Sequence, residues 1–284
     1  MDTTITTDIP ERELAVERRR FVQFVAVSLT VIVALALLAP DAGGVVAAIF
    51  AMATLLLALG RSWSLGTDLR LPTMLISLAG ASSIVQGILR EIDATRTGVE
   101  YPFPSFADLF LVLAYLLFIG AIGVVIHRRN PHLRVDPVLD GIVGGLAVAM
   151  VNWTLILPYL QDPANTPGQR LATLGFSILS LLAFVAAILA LVAGSLPTTS
   201  NRLLAAGLCV SFVADVLANL VTSGVLDSEV LVISSTLIVA LGGAGLFHPS
   251  VRLLLERPIG AELVRRLSNR RIAVLSFALI TPPT

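Results

Sequence analysis

Residues 101–126 read YPFPSFADLFLVLAYLLFIGAIGVVI, a proline- and aromatic-rich loop that runs directly into a long apolar segment. Proline needs no amide donor in the first turn of a helix and serine can cap one, so a helix is predicted to begin near Pro104 or Ser105. After Asp108 come eighteen uncharged, mostly apolar residues, 109–126, and then the basic sequence HRR. A run of this length with basic residues at its end predicts a membrane-spanning helix.

The composition of the whole chain agrees with a protein built from such helices. Hydrophobic residues make up 56% of the 284 and charged residues 13%, and the mean hydropathy is +0.91, values that a water-soluble domain does not carry. The 19 basic and 19 acidic residues cancel, and we expect no nucleic-acid partner. Cys209 is the single cysteine, and no two His or Cys residues have the spacing of metal ligands, so neither a metal nor a cofactor is expected.

The apolar runs predict an all-α fold, a polytopic membrane helix bundle of eight transmembrane helices plus the start of a truncated ninth. A cytoplasmic tail at 1–20 precedes a transmembrane domain at 21–247, and a basic connector at 248–271 leads to the ninth span at 272–284. The eight predicted spans are 21–38, 44–59, 71–89, 109–126, 137–157, 171–196, 203–221 and 231–247. The apolar part of the ninth reaches roughly 13 Å, under half of a hydrocarbon core, so we expect the natural chain to continue.

The arginines predict the orientation. If the tail at 1–20 is cytoplasmic, sixteen of the 19 arginines lie on that side, and the other side holds only Arg90, Arg96 and Arg170. Basic loops stay in the cytoplasm, so a multi-pass protein with a cytoplasmic N-terminus is predicted. The lipid bilayer is its first partner, and the arginines of the connector at 248–271 are expected to touch anionic lipid.

Asp215 is the strongest candidate for a functional residue because it lies deep in a predicted span, where a carboxylate is costly. Ser211 and Asn219 lie one helical turn on either side of it and form a polar stripe with it. Gln86 adds a polar group to the third span. Two interpretations stay open: this stripe locks helices together, or it senses a ligand, an ion or a proton.

A second group of candidates lies in the outer loop predicted at 90–104 and at the start of the fourth span that follows it. Tyr101 and Phe103 either cover a ligand pocket or belong to the interfacial aromatic belt. Ser105 and Asp108 suit a helix start, where an acid favours the helix dipole. Gly141 and Gly145 have the spacing of a close helix contact and are predicted to be packing residues.

Four stretches resemble the N-terminal membrane region of bacterial, especially actinobacterial, diguanylate cyclases and their GGDEF and EAL relatives. They are PSFADLFLVLAYLLFIGAIGVV at 104–125, FVADVLANLVTSGVL at 212–226, FHPS at 247–250 and LSNRRIAVLSFALITPP at 267–283. The resemblance implies a sensory or anchoring module of the bacterial cytoplasmic membrane, followed by a cytoplasmic domain that makes or degrades cyclic di-GMP. It also implies a homodimer. Members often carry an aromatic residue shortly after the seventh-span Asp, and this chain has none there.

The chain contains no GGDEF or EAL motif, phosphate-binding glycine loop or nucleophile elbow, so it is not expected to be an enzyme by itself. We expect a membrane-embedded sensory module whose input is an unknown small molecule, a lipid or a redox signal. One alternative is a transporter or channel for a small solute or ion, which the position of Asp215 deep in a span favours. Others are a pure anchor and dimerisation unit, or the membrane anchor of a histidine kinase, because similar regions precede those enzymes.

Overall fold

The computed structural model describes residues 11–37, 40–99, 103–129, 145, 149–150, 152–154, 156–192, 198–222, 225–227 and 229–255. Within these residues the fold is helical without a β-strand, which confirms the predicted all-α class. Tyr101, Gly141, the predicted ninth span and most of the basic connector lie outside the described part of the chain.

Seven α-helices and one 3-10 helix are described in full. Their bounds are α1 Glu11–Leu37, α2 Pro40–Ser64, α3 Thr67–Thr97, α4 Asp108–Arg129, α5 Pro167–Val192, α6 Thr199–Thr222, α7 Glu229–Phe247 and the 3-10 helix Pro249–Leu255. Residues 152–154 and 156–161 add helical turns between α4 and α5.

Six helices in the described part of the chain are long and apolar enough to cross a membrane. They are Gly43–Ser64, Thr67–Thr97, Asp108–Arg128, Pro167–Leu189, Thr199–Ala218 and Glu229–Phe247. Three of the eight predicted spans, 21–38, 137–157 and 171–196, are described incompletely. The fold is therefore a bundle with at least six helices of membrane-spanning length.

Several helices extend beyond the apolar runs that predict them. Since α1 begins at Glu11, the predicted tail at 1–20 is helical from that residue onward. The polar stretch between the predicted spans 44–59 and 71–89 is mostly helical, and only Leu65 and Gly66 separate α2 from α3. At its other end α3 continues to Thr97, through residues predicted as an outer loop, and Gly98 stops it with a left-handed φ of 69° and an N–H bond to the carbonyl of Ala94.

Helix α4 begins at Asp108, later than the predicted start near Pro104 or Ser105. Residues 103–107 form a turn in which the carboxylate of Asp108 accepts a hydrogen bond from the Ser105 backbone N–H at 2.7 Å. The side chain of Asp108 thus holds the turn before the helix, and serine contributes its amide rather than a capping hydroxyl.

Helix α7 lies at the centre of the packing, because it contacts α1, α2 and α6. Glycine makes this possible: a Cβ at Gly243 would lie 2.8 Å from Cγ2 of Thr54 and closer still to the ring of Phe24. A Cβ at Gly245 would likewise meet the side chain of Leu204 at 2.7 Å. The other large contacts pair α3 with α4, α4 with α5, and α5 with α6, so these four helices form one side of the bundle.

Charged contacts mark the two ends of the bundle. At the first, the Glu17 end, Glu17 of α1 bonds Arg61 at the end of α2, and Arg128 of α4 donates to the backbone carbonyl of Asp68 at the start of α3. At the second, the Asp108 end, the end of α3 meets the start of α4. Helices α1 to α4 therefore alternate in direction, and α5 begins at the same end as α4.

Candidate functional site

A buried ion pair joins α3 to α4 at the Asp108 end. Arg90 donates to one carboxylate oxygen of Asp108, and the other oxygen accepts the Ser105 N–H. The two residues are 8% and 5% exposed. The prediction that Arg90 begins an outer loop is wrong: it is a buried residue of α3, and its charge is met by Asp108.

The turn at 103–107 packs against α5. The carbonyl of Phe103 accepts a hydrogen bond of 3.2 Å from the side-chain amide of Gln169, and the Phe103 ring lies 5.9 Å from that of Phe176, centroid to centroid, tilted by 51°. These contacts hold the turn over the ends of α3 and α5. Phe103 therefore packs against α5 and is half-buried.

A second polar contact lies about two helical turns deeper. Tyr115 of α4, only 5% exposed, donates its phenol proton to the carboxylate of Asp215 on α6. Ser180 of α5 stands next to the same carboxylate, and Ser211 stands next to the phenol. Three helices thus meet at Asp215 through hydroxyl groups.

A cavity connects these two polar contacts. It offers about 60 Å³ of space that the centre of a water molecule can reach, enough for a few waters or a very small ligand. Its lining residues are Arg90, Phe103, Asp108, Leu111, Tyr159, Thr173, Phe176, Ser177, Asp215 and Ala218.

Two hydroxyls in the wall of this cavity adjoin each other. The Tyr159 and Thr173 oxygens are buried and interact with each other, and neither bonds any other group in the described structure. Thr173 is 1% exposed. Because two hydroxyls that bond only each other keep spare donor and acceptor capacity, a water molecule in the cavity would complete their hydrogen bonding. Burial also raises the pKa of Tyr159, which keeps its phenol protonated.

The structure brings together some predicted site residues and leaves others apart. Asp108, Phe103 and Asp215, predicted at separate places, line one cavity, and Ser105 and Ser211 bond or adjoin its polar groups. Gln86 of α3 is partly exposed and is not part of the lining. The side chain of Asn219 falls outside the described residues, as do Tyr101 and Gly141.

Gly145 lies at a close contact between two helices. A Cβ added there would collide with the side chain of Val185 on α5. The helix that contains Gly145 therefore lies so close to α5 that a residue larger than glycine would collide at this position.

Sequence reasoning missed Arg90, Tyr115, Tyr159 and Thr173. One signal was available: Tyr115 follows Asp108 by seven residues, which is two helical turns on the same face of α4. The pairing of Arg90 with Asp108 has no local signal, because the two residues are 18 positions apart and belong to different helices.

A third polar cluster occupies the Glu17 end. One carboxylate oxygen of Glu17 accepts hydrogen bonds from Arg61 and from Arg252 of the 3-10 helix, each at 2.7 Å. Burial alone would raise the pKa of Glu17, but the bonds and charges of the two arginines outweigh it and hold this pKa below its ordinary value of 4.5. Next to this cluster, His248 packs edge-on against Phe21, and burial lowers the pKa of His248.

In the described part of the chain no group of three His, Cys, Asp or Glu side chains is arranged to hold a metal ion. Compared with protein families, curated proteins and solved structures, the chain matches none. What the fold and the site define is a class: a helical bundle with membrane-length helices and a polar cavity under one end.

Proposed function

We propose that this chain is the membrane-embedded sensory and anchoring module of a bacterial signalling protein, placed before a cytoplasmic GGDEF or EAL domain. The observation that carries the proposal is the cavity at the Asp108 end, whose walls combine charged, hydroxyl and aromatic side chains from α3 to α6. In this proposal the cavity is the input site. The motif resemblance described above supplies the output domain, with a histidine kinase as the alternative output.

The proposal includes eight spans with the N-terminus in the cytoplasm. Glu17 and Arg61 share one end of the bundle, which supports a crossing by α1 and a return by α2. Arg128 lies at that same end and Tyr159 at the other, where it lines the cavity with Asp108. This supports one further crossing between α4 and α5. The excess of arginine at the Glu17 end supports a cytoplasmic location of that end.

Helix α6 is the proposed connection between input and output. It carries Asp215 in the cavity, and at its other end Ser200 donates its N–H to Ser250 of the 3-10 helix at 3.0 Å and its hydroxyl to the carbonyl of Gly245. The 3-10 helix is held in place by Val251, which is fully buried. A ligand that shifts α6 by a fraction of a turn would therefore move the segment that leads to the output domain.

Two measurements test this function. The reading frame beyond codon 284 should encode a GGDEF or EAL domain, and a frame without any signalling domain would contradict the proposal. In the full-length protein, Ser177→Phe fills the cavity and should change the cellular level of cyclic di-GMP. The matched control is Ser235→Phe, at an exposed position of α7, which should leave that level unchanged.

A small-solute transporter is the second candidate, favoured by a second cavity in line with the first. This apolar cavity of about 40 Å³ lies near the Glu17 end and is lined by the same four helices, including Thr73, Phe118, Ala187 and Leu208. The Tyr115–Asp215 contact lies between the two cavities, as a closed barrier in a pathway would. Solute flux into proteoliposomes that disappears in Asp215→Asn would favour transport over sensing.

A further inference from the structure

The cavity carries one negative charge in excess. Among its described lining residues two carboxylates, Asp108 and Asp215, face a single guanidinium, that of Arg90. Arg90 is paired with Asp108. The groups described next to Asp215 are the neutral hydroxyls of Tyr115 and Ser180, which donate hydrogen bonds but carry no positive charge. An ionised carboxylate at this depth is costly unless a cation lies beside it, so the excess charge is that of Asp215.

Two serines of α5 supply oxygen atoms near this carboxylate. Ser180 adjoins Asp215, and Ser177 lies about one helical turn away on the same face of α5 and lines the cavity. The Ser180 hydroxyl donates to the backbone carbonyl of Ser177 at 3.3 Å, which leaves its own lone pairs available. A carboxylate has about four lone-pair positions, and the two neighbouring hydroxyls occupy only some of them. These oxygens are ligands of the kind that hard cations prefer.

The size and charge of the cavity suit a small monovalent ion. The space of about 60 Å³ holds an ion with a few water molecules but not a complete hydration shell, so protein oxygens must replace part of that shell. One excess negative charge balances one positive charge. A Ca²⁺ ion instead takes about six to eight oxygen ligands, usually from several carboxylates, and the described residues contain no such cluster.

An ion can reach Asp215 from the outer end of the cavity. Phe103 and Tyr159 at this end are half-buried, so the cavity is accessible there. Asp108 and Tyr115 are seven residues apart on α4, which places Asp215 about 10 Å deeper along the helix axis than the Arg90–Asp108 pair. The adjoining hydroxyls of Tyr159 and Thr173 would therefore bond water along the route and would not bind the ion that contacts Asp215.

We propose that this cavity binds one monovalent alkali cation beside Asp215, with the hydroxyls of Ser177 and Ser180 and a few water molecules as its further ligands. This inference rests on the proposed function and specifies the input of the same site. The bound ion joins the serines of α5 to the carboxylate of α6. It therefore acts on the helix that is proposed to connect input and output.

The test is thermal unfolding of the purified full chain in lipid nanodiscs, in sodium, potassium or choline chloride at one ionic strength. A ligand that binds only the folded state stabilises it, so about 100 mM sodium or potassium should raise the unfolding temperature above that in choline by about 3 °C for a Kd of about 10 mM. A shift with either alkali ion supports the proposal, and the larger shift identifies the preferred ion. Asp215→Asn should abolish the shift. Ser177→Ala should raise the ion concentration that gives half of it by about threefold to tenfold.

Matched controls change the same chemical groups outside the cavity. Glu91→Gln removes an exposed carboxylate of α3, and Ser235→Ala removes an exposed hydroxyl of α7. In both variants the ion concentration for half of the shift should stay within about twofold of the native value. If Asp215→Asn does not fold, the double variant Ser177→Ala with Ser180→Ala decides the question, because it keeps the carboxylate and removes the other two proposed protein ligands.

Three results would overturn the inference: equal unfolding temperatures in choline and in both alkali salts, an unchanged shift in Asp215→Asn, or an unchanged shift in the double serine variant. None of them touches the proposed sensory function, which stands or falls with the response of cyclic di-GMP to Ser177→Phe. A changed cyclic di-GMP level in that variant together with no alkali-ion shift would leave a sensor for a different ligand.

Discussion

Tyr115 of α4 donates a hydrogen bond to the carboxylate of Asp215 on α6, across a sequence separation of 100 residues. Both side chains lie within helices of membrane-spanning length. Since α4 and α6 meet here with Ser180 of α5, the contact fixes three helices around the floor of the cavity.

Replacing Tyr115 by Phe should therefore destabilise the bundle. It leaves a buried carboxylate without its phenol donor, and we expect a loss of about 1–3 kcal/mol in the free energy of unfolding. The control is Tyr159→Phe, because the Tyr159 hydroxyl adjoins the hydroxyl of Thr173 and bonds no carboxylate, so its loss should be smaller. Chemical unfolding in detergent measures both, and equal losses would contradict the assignment.

Asp108→Asn should have a larger effect on stability. It removes the negative charge that faces Arg90 in a buried site, and breaking such a pair from one side costs about 3–5 kcal/mol. The double variant Arg90→Met with Asp108→Asn should lose less than the two single variants together, because the two residues interact directly. Additive losses in a double-mutant cycle would mean that the pair is not coupled.

The Glu17 cluster predicts how stability depends on pH. The folded-state pKa of Glu17 is lowered, so its contribution is fully present above the ordinary value of 4.5 and is lost as pH falls through the folded pKa. The gap in unfolding temperature between the native protein and Glu17→Gln should be largest near neutral pH and shrink below about pH 4. A constant gap across the acidic range would show that the charge of Glu17 does not contribute.

Neighbouring glycines of α7 offer a matched pair of variants. Gly243→Ala places a methyl group against Phe24 and Thr54 and should cost about 1–3 kcal/mol. Gly242→Ala meets no atom within 4 Å and should be neutral or slightly stabilising, because alanine favours the helix. If both variants unfold at the same temperature, α7 does not pack against α1 and α2 as described.

The helices could be predicted from sequence because a continuous apolar run that is long enough to cross a bilayer satisfies its backbone hydrogen bonds as a helix. The run at 109–126 predicted the body of α4 within a few residues. The end of α3 was predicted less well, because Gly98, which stops this helix in a left-handed conformation, lies nine residues past the end of the apolar run. What failed was the interpretation of single charged residues at the ends of runs. Arg90 ends an apolar segment and suggested a loop, but its partner Asp108 allows the helix to continue through it.

The site was predictable only as separate parts. Asp215 and Asp108 were each candidate residues because they are acids in or beside a predicted span. Nothing in the local sequence of either residue shows that the two line one cavity. The hydroxyls of Thr173 and Tyr159 carry no signal at all, since a threonine in an apolar helix normally bonds its own backbone. Their significance arises from packing between α5 and the helical turns that precede it.

The bonds of Glu17 have a consequence for the order in which the protein is assembled. Ribosomes make α1 first, so Glu17 meets Arg61 as soon as α2 is complete, but Arg252 follows 235 residues after Glu17. Until then the carboxylate holds one arginine instead of two. We expect the first helix to reach its final position only when the last described element has been synthesised, so that a nascent chain released early leaves its N-terminal helix loosely held and open to quality-control proteases.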